Sequence, residues 1–334
     1  MSTRYVSVDC GKADTKSCVR VNSDGSISSS SFPTRVTERS DRECIESLSG
    51  VSNTGFITEY DGKIYAVGDI ATSDDSFTSN QNSKNDMIHK IATLTAIARV
   101  VNNDDCVNVV IGCPIELFSS APNRDKYLNN ILPSGRIDIS VNGVSKHFSI
   151  GKKEVLPESM GILYIRPESF IDSLVGIIDI GGLNVNAALI DDLNLVSGSS
   201  FTEKLGRRAI ENEIRRYAND MYESSFSATE INSFLKKGYI KDTCDPAMEE
   251  RSRKFINDTL DDHLVKIVKT CVSHGWNLRN MDLVFIGGGS ILLKEKISQV
   301  FPQALVVDNA NFSNAEGFLV QLCQKERVII HIRE

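Results

Sequence analysis

Short runs of alternating apolar and polar residues predict that the chain begins with β-strands. The runs at 5–8 and 16–21 alternate in this way, and the Asn-Ser-Asp-Gly sequence at 22–25 is a hairpin signal directly after them. A second Asp-Gly turn separates similar runs at 56–60 and 63–67. We therefore expect a β-meander at the start of the chain.

Helical and buried-strand patterns follow. Apolar residues spaced three and four apart predict an amphipathic helix over roughly 84–101, and the apolar run at 107–111 predicts a buried strand. The meander pattern then returns, with strands predicted at 175–179, 185–190 and 195–201. The second half of the chain thus repeats the beginning of the first.

Helix signals dominate the rest of the second half. A capping box at 227–230 opens a helix that Gly238 can end, and Pro246 opens a long helix that Gly275 can end. A buried strand is predicted at 283–286, and a second capping box lies at 313–316. Strands that alternate with helices indicate an α/β protein.

One short pattern occurs twice, once in each half of the chain. Residues 8–16 (VDCGKADTK) and 178–186 (IDIGGLNVN) each contain an apolar strand end, an Asp-x-Gly sequence, a tight turn and a returning strand. Glycine lets the backbone approach a ligand closely, so each hairpin can offer N–H groups to phosphate oxygens. Asp9 and Asp179 can then hold the hydrated Mg²⁺ of a nucleotide, and Lys16 can neutralise phosphate charge. An isolated Asp-x-Gly is more often a plain turn, but two copies at apolar strand ends favour a phosphate site.

A third glycine-rich segment, 284–290 (VFIGGGS), predicts a further part of the same site. A buried strand leads through glycines into a helix, whose N-terminus can face phosphate or adenosine. The sequence has neither the GxGxxG motif of a Rossmann fold nor a GxxxxGK[ST] phosphate loop. A nucleotide site built from these segments therefore belongs to a different fold.

Taken in order, these motifs resemble the superfamily of actin, hexokinase and sugar kinases, and within it the ParM-type actins that segregate plasmids. The segments that carry the resemblance are the two phosphate motifs (8–16 and 178–186), the adenosine motif (286–290) with its continuation (314–318), the glutamate segment (155–159) and, more loosely, 65–69 followed by 82–84. They span most of the chain, and their order is more specific than any one of them.

The resemblance implies a fold and a division into domains. It implies an α/β fold of two related actin-like (ribonuclease H-like) domains that flank a nucleotide cleft, with mixed sheets and helices on both faces. The first domain would comprise 1–160 and about 313–334, with a small inserted subdomain at about 30–80. The second would comprise 161–312, with a helical insertion at about 205–275.

The resemblance also implies roles for individual residues in hydrolysis of ATP or GTP with Mg²⁺. Glu158 would orient or deprotonate the attacking water, Asp179 would hold that water and the metal shell, and Asp9 would complete the Mg²⁺ side. Implied phosphate contacts come from Gly11, Lys12, Lys16, Gly181, Gly182 and Asn184. Implied adenosine contacts come from Gly287, Gly288 and Ser290. Asn184 stands where the family often has threonine, so an amide replaces a hydroxyl.

Charge and composition narrow the partners. The chain has 44 acidic and 37 basic residues, a net charge of −7, so no global basic field gathers DNA through counterion release. Glutamates alternate with Arg207, Arg208, Arg215 and Arg216, and this pattern predicts a solvated helix face.

The eight cysteines form no CxxC pair, which predicts reduced thiols. Without a signal-like segment or an apolar run of roughly 18 residues, we expect a cytoplasmic protein with no membrane partner.

The leading interpretation is an ATP-dependent actin-like filament protein. Its copies would associate head to tail, because a heterologous contact that does not close produces a helical filament. The resemblance implies an adaptor protein that binds a centromere-like plasmid site, and no direct sequence-specific DNA binding by this chain. Two alternatives stay open: a small-molecule kinase of the sugar type, and a non-polymerising chaperone-like ATPase.

Overall fold

A computed structural model of the protein describes residues 2–21, 25–40, 53–71, 87–242 and 244–331. The chain divides into two units, Met1–Pro167 with Phe312–Glu334, and Glu168–Asn311. No helix within the described ranges is long and apolar enough to cross a membrane.

The first unit contains a nine-stranded mixed sheet. Its strands are β1 (Thr3–Cys10), β2 (Asp14–Arg20), β3 (Ile27–Pro33), β4 (Val36–Arg39), β5 (Gly55–Tyr60), β6 (Lys63–Gly68), β7 (Cys106–Cys113), β8 (Gly135–Val141) and β9 (Val144–Pro157). Their order across the sheet is β3-β2-β1-β7-β9-β8-β5-β6-β4. Strands β1, β7 and β9 are parallel, and the remaining neighbours are antiparallel. β1 and β7 are buried along most of their length because helices cover both of their faces.

The helices number ten in the described residues, apart from a short 3₁₀ helix at Pro167–Phe170. They are α1 (Met87–Ala98), α2 (Ile115–Phe118), α3 (Ala121–Ile131), α4 (Gly161–Ile165), α5 (Arg207–Tyr222), α6 (Ala228–Lys237), α7 (Pro246–Ser273), α8 (Gly288–Leu292), α9 (Lys294–Val300) and α10 (Ser313–Lys325). Helices α1 to α4 and α10 belong to the first unit, and α5 to α9 belong to the second.

Alternating residues of β7 show how the first sheet is covered. Val109 and Ile111 pack in the core that contains α1 and α3, whereas Val110 packs with Phe318 and Leu322 of α10. Successive strand residues point to opposite faces, so α10 lies on the face opposite α1 and α3. The first unit therefore has helices on both faces of its sheet.

Helix α10 approaches α4 through two glycines. A Cβ atom on Gly317 would overlap the backbone of Gly161, and a Cβ on Gly161 would overlap the carbonyl of Ser313. The N–H of Gly161 donates to Oδ1 of Asn314 at 3.3 Å. This close contact sets the depth of α10 against the sheet, and it brings Phe318 next to Gly112 at the end of β7.

The second unit has a smaller mixed sheet. Its strands are β10 (Leu174–Ile180), β11 (Val185–Asp191), β12 (Asn194–Leu195), β13 (Phe201–Glu203), β14 (Asp282–Ile286) and β15 (Leu305–Val306). The order is β12-β11-β10-β14-β15, with β13 also paired to β11. β10, β14 and β15 run parallel, and β11 returns antiparallel beside β10. This unit thus repeats the β2-β1-β7 arrangement of the first unit as β11-β10-β14.

Local capping signals explain where two helices of the second unit, α6 and α7, begin. Ser227 and Glu230 form the predicted capping box before α6, and Gly238 ends α6 at a φ of +74°. Asp245 caps α7, with Pro246 in its first turn. Trp276, which follows α7, is buried and packs against Phe201 in the connection between helix and strand.

Some predicted elements have different bounds in the structure. The strand predicted at 195–201 is instead two short strands, because the chain turns at 196–199, where the N–H of Ser199 donates to the carbonyl of Val196. The first helix ends at Ala98, before the predicted residue 101. Residues 22–24 and 84–86, the family-like segment 82–84, and parts of the predicted inserted subdomain lie outside the described residues.

A buried aspartate attaches the beginning of the chain to β7. Oδ2 of Asp105 accepts hydrogen bonds from the N–H of Asn102 at 2.8 Å and from Nε of Arg4 at 3.1 Å, and Oδ1 accepts one from Ser2. Burial alone would raise the pKa of Asp105, but these hydrogen bonds and the charge of Arg4 hold the pKa below its ordinary value. The charged form of Asp105 therefore stabilises the folded chain.

We predict that Asp105→Asn lowers the free energy of unfolding at pH 7 by about 1–3 kcal/mol, because donors to a buried carboxylate lose their charged acceptor. A depressed folded pKa adds stability above the unfolded pKa of about 3.9, and this stability is lost as the pH falls towards the folded pKa. Urea unfolding should thus show that the difference in free energy of unfolding between wild type and variant becomes smaller below about pH 4. Asp138→Asn, at an exposed position, is the control, and a difference that does not change with pH would contradict the assignment.

Candidate functional site

The first acidic hairpin connects β1 to β2. Asp9 lies opposite Lys16 in the antiparallel ladder, and the turn closes with a hydrogen bond from the N–H of Gly11 to the carbonyl of Asp14 at 3.0 Å. Nζ of Lys16 lies 3.6 Å from Oδ2 of Asp9. Lys12 occupies the second position of this turn. The hairpin thus contains one carboxylate, that of Asp9, and two lysines that follow it closely in the sequence.

The second hairpin, between β10 and β11, has the same construction. Asp179 lies opposite Asn186, and the N–H of Gly181 donates to the carbonyl of Asn184 at 2.9 Å. Gly182 takes the position of Lys12, and Asn186 takes that of Lys16. The duplication seen in the sequence is therefore present in backbone register and turn closure, but only the first hairpin carries lysines.

A glycine at the end of the neighbouring parallel strand lies beside each aspartate. Asp9 is 4% exposed and Asp179 is 7% exposed. A Cβ on Gly112, in β7, would lie 3.2 Å from Oδ1 of Asp9. A Cβ on Gly287, after β14, would overlap Oδ1 of Asp179, and its φ of +84° also favours glycine. In both units glycine leaves the space that an acidic side chain at a strand end needs.

Glu158 lies near Asp9 in the first unit. It follows β9, is 6% exposed, and donates its backbone N–H to the carbonyl of Cys113 at 2.8 Å. A Cβ on Gly112 would lie 3.4 Å from Cγ of Glu158 as well as close to Asp9. The next residue, Ser159, is buried at a φ of +68°, a conformation that is unusual for a residue other than glycine. The structure thus brings together the two acids that the sequence predicted for this side of the site.

Tyr127 supports this pair of acids from α3, and the sequence analysis missed it. Its hydroxyl donates to the carbonyl of Gly112 at 3.0 Å. Burial raises the pKa of Tyr127 well above its ordinary value, and the negative charges of Glu158 and Asp9 raise it further. Tyr127 therefore stays neutral and can act only as a hydrogen-bonding hydroxyl. No local sequence signal marks it, because its partner lies 15 residues away.

The glycine-rich segment after β14 forms the third part of the site. The N–H of Gly287 donates to the carbonyl of Ala310 at 3.0 Å, and a Cβ on Gly288 would overlap Oδ1 of Asn311. Ser290 is 0% exposed, and its hydroxyl donates to the carbonyl of Ile286 at 2.5 Å. The side chain of Ser290 therefore stabilises the turn after β14. The adenosine contact that the sequence predicted for Ser290 stays a prediction.

The predicted residues form two groups, one in each unit. The first unit holds Asp9, Gly11, Lys12, Lys16 and Glu158, and the second holds Asp179, Gly181, Gly182, Asn184, Gly287, Gly288 and Ser290. Each group contains a tight acidic hairpin with glycine beside the acid. Backbone N–H groups in such a turn, close to a carboxylate, can hold phosphate oxygens together with a hydrated metal ion.

The acids of both groups fit Mg²⁺ in the form in which it accompanies a nucleotide. Within the described residues, no three or more His, Cys, Asp or Glu side chains form a cluster that could hold a metal ion. Mg²⁺ needs no such cluster, because it keeps several waters and takes one or two carboxylates together with phosphate oxygens. Asp9 and Asp179 each have space left by a glycine, and each can supply one such carboxylate.

A family model matches most of the first unit. Residues 7–161 match the family model for the N-terminal domain of actin-like proteins. The chain has the actin-like α/β fold that the sequence predicted. A comparison with curated protein sequences finds no match.

Solved structures extend the likeness to ParM and Alp filament proteins, as the sequence motifs indicated. The filament structure of Alp12 is 25% identical, with a TM-score of 0.70, and covers 98% of this chain and 100% of its own. A 15-stranded ParM filament from Clostridium botulinum is 18% identical, with a TM-score of 0.73 and coverage of 97% and 100%. An archaeal actin homologue in complex with ADP is 17% identical, with a TM-score of 0.71 and coverage of 97% and 99%.

We predict that Tyr127→Phe lowers the free energy of unfolding by about 1–2 kcal/mol, because the buried Gly112 carbonyl loses a donor. A folded pKa above the unfolded value of about 10 means that this tyrosine adds stability below pH 10 and loses it at higher pH. Urea unfolding should therefore show that the free energies of unfolding of Tyr127→Phe and wild type become more similar above about pH 10.

Tyr239→Phe is the control for this measurement, because Tyr239 is half-buried and packs its ring against Arg253. It should change stability by less than about 0.5 kcal/mol. Equal stabilities of wild type and Tyr127→Phe at pH 7 would show that the hydroxyl does not support the site.

Proposed function

We propose that this chain is an actin-like ATPase that forms filaments in response to nucleotide and drives plasmid DNA segregation. The observation that carries the proposal is the pair of matched hairpins, each with a nearly buried aspartate beside a glycine. Two further facts support it: similar solved structures include filaments of Alp12 and ParM, and a similar archaeal protein was solved with ADP. The proposal treats each structural unit as one actin-like domain.

In this proposal each hairpin binds phosphate oxygens of the nucleotide. The turns at Gly11 and at Gly181 and Gly182 lie against the phosphate oxygens, which Asn184 and the two lysines of the first hairpin also bind. Phosphoryl transfer to water depends mainly on positioning of the phosphate and on neutralisation of its charge, and these contacts supply both. Gly287 and Gly288 line the nucleoside side of the site.

The acids have separate roles. Asp9 and Asp179 would hold Mg²⁺, which when bound neutralises phosphate charge. Glu158 lies among buried groups next to Asp9 and would accept a proton from the attacking water or orient it. The hydroxyl of Tyr127 donates to the carbonyl of Gly112 and keeps the backbone of Gly112 in place beside Asp9 and Glu158. Hydrolysis would then weaken contacts between copies of the chain.

The partners follow from the same proposal. Copies of the chain would associate head to tail, and an adaptor protein would connect the filament to a centromere-like plasmid site in the cytoplasm. The net charge of −7 favours an adaptor over direct DNA contact. The test is sedimentation and light scattering after addition of Mg-ATP, Mg-GTP or Mg-ADP. Assembly with a triphosphate supports the proposal, whereas flat scattering together with sugar-dependent ADP release would point to a kinase.

We predict that Glu158→Gln lowers the rate of ATP hydrolysis by about 100-fold, because the general base is lost. Binding of Mg-ATP and assembly should persist, and the filaments should last longer. Phosphate release and pelleting measure the two effects. Glu168→Gln, at an exposed position, is the control, and a Glu158→Gln variant that hydrolyses ATP like the wild type would remove Glu158 from the mechanism.

We predict that Asp9→Asn and Asp179→Asn each raise the Mg²⁺ concentration needed for half-maximal ATP hydrolysis by about tenfold or more, as loss of a group that orients metal-bound water does elsewhere. A magnesium titration of steady-state hydrolysis measures the shift. Asp138→Asn, exposed and distant in sequence from both hairpins, should titrate like wild type. An unchanged magnesium requirement in both variants would mean that these acids do not act on the metal.

A further inference from the structure

The first turn of helix α5 contacts the second hairpin directly. The N–H groups of Gly206, Arg207 and Arg208 donate to three successive hairpin carbonyls, those of Leu183 at 3.0 Å, Gly181 at 2.9 Å and Gly182 at 2.9 Å. The first N–H groups of a helix have no acceptor within the helix, so they are free to make such contacts. The hairpin is thus bonded to a helix N-terminus at each of its first three carbonyl oxygens.

These bonds decide which backbone groups of the hairpin can meet an anion. The fourth carbonyl, that of Asn184, accepts from the N–H of Gly181 at 2.9 Å, so all four turn carbonyls are engaged within the protein. A phosphate oxygen is attracted by N–H groups and repelled by carbonyl oxygens. Because these carbonyl oxygens already accept hydrogen bonds within the protein, they repel a phosphate less, and the turn can offer N–H groups to it.

Only glycine at 206 permits this contact. A Cβ there would lie 2.6 Å from the backbone nitrogen of Asn184 and 2.7 Å from the carbonyl carbon of Gly182. Both atoms belong to the backbone of the hairpin, so no side-chain movement can relieve the overlap. A larger residue at position 206 would push the hairpin away from α5.

The two hairpins differ in their source of positive charge. The first carries Lys12 and Lys16, whereas the corresponding positions of the second are Gly182 and Asn186. The N-terminus of a helix carries a partial positive charge of roughly half a unit, and acids usually occupy its first turn. α5 instead begins with two arginines and has no acid there. The second hairpin thus has the start of a helix beside it, whereas the first hairpin carries lysines.

We infer that the first turn of α5, with Gly206 as the residue that permits close approach, is the positioning element of the second phosphate hairpin. This inference rests on the proposed function for the identity of the ligand, but not for the backbone contact itself. The side chains of Arg207 and Arg208, predicted to form part of a solvated face, are half-buried. The side chain of Arg207 bonds Asn232 of α6 and Glu211, so the same turn is linked to the helices behind it.

The first experiment measures amide hydrogen exchange of the wild-type chain without nucleotide. First-turn amides of a helix ordinarily exchange rapidly because they have no intrahelical acceptor. We expect the amides of residues 206–208 to exchange at least about 100-fold more slowly than unstructured peptide. Exchange of these amides at the unstructured rate would overturn the inference, whatever nucleotide the chain binds.

A matched pair of variants isolates the backbone donor. Arg207→Ala removes the side chain and keeps the N–H, whereas Arg207→Pro removes both, and proline is tolerated in the first turn of a helix. We expect the Kd for Mg-ATP to be about tenfold higher in Arg207→Pro than in Arg207→Ala, as loss of one positioned hydrogen bond would give. Exchange of amides 181–184 without nucleotide should also be faster in the proline variant. Equal Kd values and equal exchange in the two variants would overturn the inference.

Two glycine variants keep the test decisive if Arg207→Pro does not fold. Gly206→Ala inserts a methyl group into the hairpin contact, whereas Gly238→Ala strains the end of α6 in open space. Gly206→Ala should weaken Mg-ATP binding, and Gly238→Ala should lower the melting temperature without a change in Kd. Equal effects of Gly206→Ala and Gly238→Ala on Kd would show a general loss of stability and would overturn the inference.

If the wild type itself does not bind Mg-ATP, the proposed function fails, and the exchange measurements alone decide on the positioning element.

Discussion

The placement of a nearly buried carboxyl group at the end of a strand is the constraint on which both acidic hairpins depend. A buried carboxylate without partners is costly, so the surrounding chain has to provide space and polar groups. Around Asp9 these are Gly112 and Lys16, and around Asp179 the space comes from Gly287. The parallel pairing of β1 with β7 and of β10 with β14 puts each glycine next to its acid. The sheet topology is therefore what makes the two acidic strand ends tolerable.

The duplicated hairpins have the same backbone but different electrostatics. Side-chain cations accompany the first turn, and the positive end of a helix accompanies the second. A lysine is mobile and can follow a phosphate group, whereas a helix N-terminus has a fixed position. The two units thus bring an adjustable and a rigid source of positive charge to similar turns. This difference cannot be inferred from the motif alone, because α5 begins more than twenty residues after the end of β10.

The strands, the capping box at Ser227 and the duplicated turns could be predicted because their signals are local. The capping box predicted at 313–316 was wrong, because α10 begins at Ser313 without a side-chain cap. Alternation, Asp-Gly turns and Ser-x-x-Glu sequences act over a few residues, and the structure follows them at Ser227 and in both acidic hairpins. The parts that could not be predicted depend on contacts between distant residues. Tyr127 and Gly206 carry no motif, and the buried hydroxyl of Ser290 shows that a residue within a motif can be used internally. The segment 195–201 was apolar enough to suggest one strand, but its turn depends on the Ser199 to Val196 contact.

The glycine contact between α4 and α10 has a consequence for how the protein is made. Residues of α10 complete the core of the first unit, and Phe318 lies beside Gly112, yet α10 follows the whole second unit in the chain. A ribosome therefore releases all of residues 168–311 before the helix that covers β7 emerges. Until then one face of the first sheet lacks its cover, and the apolar residues there are exposed to other nascent chains and to chaperones. The order of synthesis thus ties completion of the Asp9 and Glu158 side of the site to the last helix.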